Sequence, residues 1–409
     1  MRIIICITKC KKMKLLLVVD DYLPGSIKVA ARMMHDLALE LIAQGNEVTV
    51  CTSDATLQVP FTFEDLEGVK VVRFKSGSIK NISKVKRAIN ETLLSFWAWR
   101  ALKPYFKKNR HDMVVYYSPT IFFGPLILKL KALWHCKSFL ILRDIFPQWV
   151  VDNGLIRKNS PIHLYFKFFE ALNYRAADVI AVQSPSNLAY FEKKRKYKDK
   201  LDVLYNWSAV EGGGQSQNLY RKELGLADKM VFFYGGNIGH AQDMMNLVRL
   251  ATSLKAYPIA HFLFVGKGDE VDLIKQAIRE NNISNITYLP PVTQDEYQVM
   301  LAEFDIGLFS LHKDHVTHNF PGKLLGYMKH SMPILGSVNR GNDLEYVIAE
   351  AEAGFVTVNG NDVDFTKNAI RLIDSVQLRK HMGSNAYKLL GEKFSVKTAA
   401  SKISGIVRR

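Results

Sequence analysis

The sequence predicts an α/β protein built from two doubly wound, parallel-sheet domains. Two observations predict it. Short apolar runs without polar alternation recur along the whole chain, and longer amphipathic segments of helical spacing separate them. Strands buried on both faces and interleaved with helices make βαβ units, hence parallel sheets. About six such runs fall in each half of 409 residues. That many strands over that length favours two sheets over one.

In the first half the expected strands are Leu15–Val19, Glu47–Thr52, Val69–Phe74, Met113–Tyr117, Phe139–Leu142 and Val179–Val182. In the second half they are Met230–Tyr234, His261–Val265, Ile286–Leu289, Ile306–Phe309, Met332–Leu335 and a weaker Gly354–Val358. Leu37, Leu41 and Ile42 mark one face of a helix that ends at Gly45, a C-cap residue. Leu247, Leu250, Ala251 and Leu254 repeat at helical spacing, and Thr293 with Glu296 forms a capping box. The stretch 204–217 turns from strand into a Gly- and polar-rich linker, so the seam is expected there. The expected domains are 13–205, 206–385 and a C-terminal helix, 386–409, returning to the first. Residues 1–12 are expected to be an extension outside the fold, because MKLLLVVDDY from Met13 reads as a first strand by itself. Two facing sheets would place two ligands in one cleft, at the carboxyl ends of their strands.

Composition narrows the function. Hydrophobic residues make up 48% and charged residues 23%, which excludes whole-chain disorder. Four cysteines, Cys6, Cys10, Cys51 and Cys136, form neither a disulfide framework nor a CxxC pair, which points to a reduced, cytosolic protein. No secretory signal is evident, and no segment reaches the ~18–20 apolar residues of a bilayer span. The net charge is +16, and it is concentrated: Lys70–Lys137 holds 15 Lys and Arg against Glu91 and Asp112, a net of +13. Such an excess points to an acidic partner surface, nucleic acid or anionic lipid. Within it, Lys84–Arg110 interleaves Lys84, Lys86 and Arg87 with Trp97, Trp99 and other aromatics, the pattern of a helix lying in a membrane interface. The same aromatics could instead pack on the sheet behind a solvated lysine face.

Four motifs carry candidate chemistry. Gly25 and Ser26 follow the first strand, where backbone N–H groups at a helix N-terminus can meet an anion. Met230–Gly239, reading MVFFYGGNIG, runs from a strand into a glycine-rich turn that can cradle phosphate. It is not a dinucleotide fingerprint, because position 234 is Tyr where GxGxxG needs Gly, and VGKGDE fails likewise at Val271. No Walker P-loop is present, so NAD and P-loop chemistry are disfavoured. In HNFPGKLLG, Lys323 opens a helix, a slightly unfavourable place for a cation unless it meets an anion. Arg143 and Asp144 close a buried strand in the first half, as a salt-bridged strand end or as cleft residues. The one DxD, Asp362–Asp364, reads as helix capping rather than a metal site.

The order YLPGS, GNEVTV, RDIFPQW, FYGGNIG, VGKGDE, YLPPV, DIGLFSL, PGKLLGY and MPIL resembles glycosyltransferase family 4, the retaining GT-B enzymes, over essentially Met13 to the C-terminus. The nearest resemblance is to the bacterial subgroup assigned to N-acetyl-L-fucosamine transfer in O-antigen and capsule synthesis. It implies a UDP-sugar held by the second domain through Gly235, Gly236, Asn237, Gln242, Gly266, Pro290, Asn319, Pro321, Gly322 and Lys323. It implies an acceptor, a polyprenyl-diphosphate-linked oligosaccharide, held by the first through Gly25, Ser26, Arg143 and Asp144. The family's Arg and Lys of the glycine turn fall on Asn237 and Gln242, and its two glutamates on His318 and Gly326. Lys323 is then the expected cation on the diphosphate, and Asp144 the expected acceptor orienter or base. The resemblance implies no cofactor and no divalent metal, and a protein peripheral on the inner face of a bacterial inner membrane. Two rival readings are a nucleic-acid-binding protein using the basic face, for which no reading module is recognisable, and a relative without activity.

Overall fold

The computed structural model describes residues 12–26, 29–79, 82–152, 154–192, 195–210, 218–314 and 320–406. The expected extension, 1–12, lies outside these residues except for Lys12, as do His318, Asn319 and residues 211–217 of the linker.

The chain divides into two compact units. The first comprises 1–183, 190–204 and 399–409; the second comprises 184–189 and 205–398. In the first unit β1 (Lys14–Val19), β2 (Glu47–Asp54), β3 (Phe61–Leu66), β4 (Val69–Lys75), β5 (Met113–Ser118), β6 (Lys137–Leu142), β7 (Val179–Val182) and β8 (Leu201–Val203) form one sheet. Its order is β3-β4-β2-β1-β5-β6-β7-β8. All pairings are parallel except β3 with β4. Central strands are buried on both faces: Leu15–Val18 are wholly inaccessible, as are Met113–Tyr116.

Two strands depart from the expected set. β3 is an antiparallel edge strand, reached through a turn with Glu67 and Gly68 at positive φ. Its FTFEDL breaks the apolar residues with Thr62 and the adjacent acids Glu64 and Asp65, and Glu64 pairs with Arg73 of β4 at 2.5 Å. A half-exposed strand of that kind has no continuous apolar run to betray it. β8 has only three residues, all half-buried.

The second unit holds β9 (Met230–Asn237), β10 (Ala260–Lys267), β11 (Ile286–Leu289), β12 (Ile306–Ser310), β13 (Ile334–Val338) and β14 (Gly354–Val358). All are parallel, in the order β11-β10-β9-β12-β13-β14. The fifth expected strand of this half begins at Ile334 rather than Met332, since Pro333 precedes it. Helices cover both faces, giving two apolar clusters, one around Phe233, Tyr327 and Phe309 and one around Phe232, Phe262 and Leu247.

Local signals behave as their chemistry requires. Gly45 takes φ 86°, and Asn46 N–H returns to Leu41 O at 3.1 Å, closing the helix Val29–Ala43. Thr293 and Glu296 cap the helix Gln294–Glu303 reciprocally. The Glu303 carboxylate accepts three backbone N–H groups, from Leu219, Tyr220 and Arg221. At the DxD the cap itself is Asn361, whose side chain accepts from Asp364 N, while Asp362 pairs with Arg249 at 2.9 Å. At the far end of the chain, Lys402 Nζ pairs with Asp202 at 2.7 Å, which ties residues after Ala399 to the first unit.

Candidate functional site

In the second unit the glycine-rich segment is not a free turn. β9 continues through Gly235 and Gly236 to Asn237, in register with Val265, Gly266 and Lys267 of β10. The two strand ends approach so closely that a Cβ on Gly266, at φ +155°, would stand 1.8 Å from Gly236 O. The Tyr297 ring fills the space beside Gly235, where a Cβ would meet it at 2.3 Å. Tyr327 lies beneath: its hydroxyl donates to Leu308 O at 2.9 Å and accepts from Gly235 N–H at 3.4 Å. The platform is thus backbone on a buried tyrosine floor, at the carboxyl end of β9.

Lys323 completes it. Its helix, Lys323–Lys329, follows Pro321 and Gly322, which are half-buried and exposed. The Lys323 ammonium sits 3.4 Å from the Tyr234 ring centroid, and a Cβ on Gly236 would stand 3.8 Å from it. Among the described residues no carboxylate pairs with it. Over its whole surface the residue is half-buried, but the packing around the nitrogen is dense, and the nitrogen is what titrates. Burial therefore holds its pKa well below the ordinary lysine value. The electron-rich face of Tyr234 is the compensation that keeps a cation tolerable there. An anion entering beside Gly236 would supply the missing countercharge.

Gly235, Gly236, Gly266 and Lys323 are therefore together. Asn237 is exposed, and its Nδ2 donates to Gln242 Oε1 at 2.7 Å, so the two uncharged residues satisfy one another. Pro290 lies exposed in the loop after β11. The helix expected directly behind the glycines is displaced: a 3₁₀ turn, His240–Gln242, intervenes, and Asp243 stands at the N-cap position of the helix Met244–Ser253 without a side-chain capping hydrogen bond. A carboxylate at that N-terminus offsets the dipole an anion would otherwise use. A Cβ on Gly326 would meet Leu301 at 2.9 Å and Tyr297 at 3.9 Å, so this position faces the core. The sequence reading missed Tyr234, although it adjoins the glycines, because nothing in the sequence pairs it with a lysine 89 positions on.

In the first unit Arg143 and Asp144 directly follow β6, beside Tyr117 of β5. Arg143 is buried, donates to Leu204 O at 2.5 Å, and has its pKa lowered to about 10 by burial. Burial pushes Tyr117 up to about 12 against the pull of Arg143. Crowding raises the Asp144 pKa while Arg143 lowers it. The Asp144 side chain is exposed, and water on that open side limits the rise. Gly25 and Ser26 follow β1 ahead of the helix Val29–Ala43; Ser26 is buried and donates to Asp21 Oδ2 at 2.8 Å.

The basic segment forms two helices, Lys84–Thr92 and Leu94–Lys108, not one. The second buries Leu94, Ala98, Leu102 and Phe106 completely, so much of its apolar content is core. Trp97 and Trp99 are half-buried; Trp99 stacks on Phe106 with Lys129 over its ring. The exposed apolar residues are others: Val85, Ile89 and Phe96, with Ile162, Leu164 and Phe168 on the helix Pro161–Ala176. Lys86 and Arg87 are exposed, with Arg87 paired to Glu91 at 2.8 Å. Among the described residues no helix is long and apolar enough to cross a membrane, and no cluster of three His, Cys, Asp or Glu could hold a metal ion.

Comparison with known proteins adds the following. Residues 30–208 match the family model described as Glycosyltransferase Family 4, and residues 216–389 the model Glycosyl transferases group 1. A Pseudomonas aeruginosa protein named "Probable glycosyltransferase WbjE" is 24% identical over 277 residues, 66% of this chain and 68% of that one. Sucrose-phosphate synthase from Thermosynechococcus elongatus superposes with TM-score 0.68 at 14% identity, covering 97% of this chain and 98% of its own. Anabaena HepE, solved in complex with UDP and glucose, gives TM-score 0.65 at 15% identity over 97% and 99%.

Proposed function

The chain belongs to the GT-B glycosyltransferases, a family 4 region followed by a group 1 region, and from that premise we propose that it is a retaining enzyme using a UDP-sugar. In this reading it moves an N-acetylated deoxyhexose, N-acetyl-L-fucosamine, to a lipid-linked oligosaccharide in surface polysaccharide synthesis. The observation that carries it is the Lys323 ammonium, without a carboxylate partner among the described residues, on the Tyr234 ring against Gly236. That HepE was solved with UDP supports the choice of nucleotide.

The chemistry follows from charge. As UDP departs, negative charge builds on its β-phosphate. Lys323 and the backbone of Gly235–Gly239 meet that charge from fixed positions, which costs no reorganisation as it forms. The sugar becomes oxocarbenium-like, and the acceptor hydroxyl attacks from the face the phosphate leaves. The leaving phosphate takes the hydroxyl proton, and Asp144 orients the acceptor. Fixed side-chain and backbone charge stands where a divalent ion would otherwise act. A panel of sugar nucleotides in a thermal-shift assay tests the reading. UDP and one UDP-sugar are expected to raise the transition, and indifference to every nucleotide would overturn it.

Burial of Lys323 gives a pH signature. Burial lowers the Lys323 pKa in the free chain and a bound diphosphate raises it, so binding takes up a proton between the two pKa values. UDP affinity is therefore full below the free-state pKa and falls as pH rises through it, at lower pH than an ordinary lysine would dictate. Titration calorimetry in buffers of different ionisation heat reads that uptake. Lys323→Arg should lose both, since a guanidinium stays charged throughout; an unchanged profile would place Lys323 away from the diphosphate.

We also propose peripheral attachment to an anionic membrane through the basic face of the first unit. Each cation near such a surface is worth about 1 kcal/mol. Changing Lys84, Lys86 and Arg87 together to Glu should release the protein from phosphatidylglycerol vesicles in a flotation assay while UDP binding is kept. Unaltered flotation would defeat this part.

A further inference from the structure

In the first unit the helices Lys84–Thr92 and Pro161–Ala176 leave an open cavity of about 670 Å³, within the ~300–1,000 Å³ range of small-molecule sites. Val85, Ala88 and Ile89 line one side, and Ile162, Tyr165 and Phe166 the other. Val85, Ile89 and Ile162 are each more than half exposed, an uncommon place for three apolar side chains in one concavity. The polar atoms present are already occupied: Thr92 Oγ1 donates to Ala88 O at 2.7 Å and lies 2.6 Å from the Tyr165 hydroxyl. A sugar or nucleotide placed here would lose its water and gain no hydrogen bond in return. The ligand must be hydrocarbon where it touches this wall.

Two observations identify it. Phe146 lines the same cavity, its ring 4.8 Å from Phe166, and it stands two residues after Asp144 on one loop. The groove thus adjoins the residue assigned to the acceptor. The wall helix also lies in the segment with 15 Lys and Arg against two acids, and exposed Lys86 sits next to Val85. That charge opposes a second copy of the same face and favours an anionic headgroup on the hydrocarbon. We propose that the groove holds the isoprenoid chain adjoining the diphosphate of the lipid-linked acceptor. This rests on reading the first unit as the acceptor unit.

The test uses the full chain and geranylgeranyl diphosphate carrying a terminal diazirine. Crosslinks are expected in the peptides 84–93 and 161–167. Excess geranylgeranyl diphosphate should suppress them, and inorganic diphosphate or palmitate should not. Val85→Ser, Ile89→Ser and Ile162→Ser combined should weaken geranylgeranyl diphosphate at least about tenfold with UDP affinity retained. Ala88→Phe, which fills the groove, should do the same. Crosslinks elsewhere, unchanged affinity in either variant, or equal competition by palmitate would overturn the proposal. So would a variant that alters only vesicle binding or self-association. Failure of UDP to bind the unaltered chain would instead overturn the glycosyltransferase reading and leave the groove result standing.

Discussion

Lys323→Ala is expected to lower turnover ~10²–10³-fold, the scale for removing one preorganised charge stabiliser from a transition state. The size of the effect comes from three features acting together. The ammonium is closely packed, it lacks a carboxylate partner among the described residues, and it stands 3.8 Å from where a Cβ on Gly236 would lie. In water one cation near an anion is worth little; shielded, the same pair is worth several-fold more. The fold should survive the change. Removing a buried positive charge relieves a desolvation cost, and the thermal transition of the unliganded variant should match or exceed the parent's. Steady-state rates with the sugar nucleotide selected by thermal shift give the comparison. Near-normal turnover in a folded variant would remove Lys323 from the site.

Gly266→Ala should be among the most damaging single-methyl changes in the second unit. The new Cβ would sit 1.8 Å from Gly236 O, and the φ of +155° is one that alanine rarely adopts. Both penalties apply at once, so β9 and β10 must separate at their carboxyl ends, at a cost on the order of 3 kcal/mol or more. Gly360→Ala is the control. Its φ is +99°, but nothing lies within 4 Å, so only the conformational penalty remains, about 1–2 kcal/mol. Urea unfolding followed by nucleotide protection separates the two variants. Equal destabilisation would contradict the close approach of the strands. Because Gly236 also faces Lys323, the Gly266 variant should lose nucleotide affinity as well, whereas Gly360→Ala should keep it.

What the sequence made legible follows from how each feature is encoded. Twelve strands announced themselves through short apolar runs, which strands covered on both faces require. β3 did not, since an edge strand with Glu64 and Asp65 looks like a loop until Arg73 is found beside it. Lys323 was legible through a local conflict, a cation opening a helix. Its seat on Tyr234 was not, since a ring contact across 89 positions leaves no local trace. Composition pointed at Trp97 and Trp99 for the membrane face, but which side of a helix meets the core is set by packing. Phe106 and Lys129 claim Trp99, and the outward apolar residues are Val85, Ile89 and Phe96.

The most direct measurement compares UDP with uridine by titration calorimetry, in the parent chain and in Lys323→Ala. The parent should bind UDP far more tightly than uridine, and the variant should lose most of that gap while its uridine affinity stays the same. A gap that persists undiminished without the ammonium would mean that the diphosphate is held elsewhere, and the account of Lys323 would be wrong.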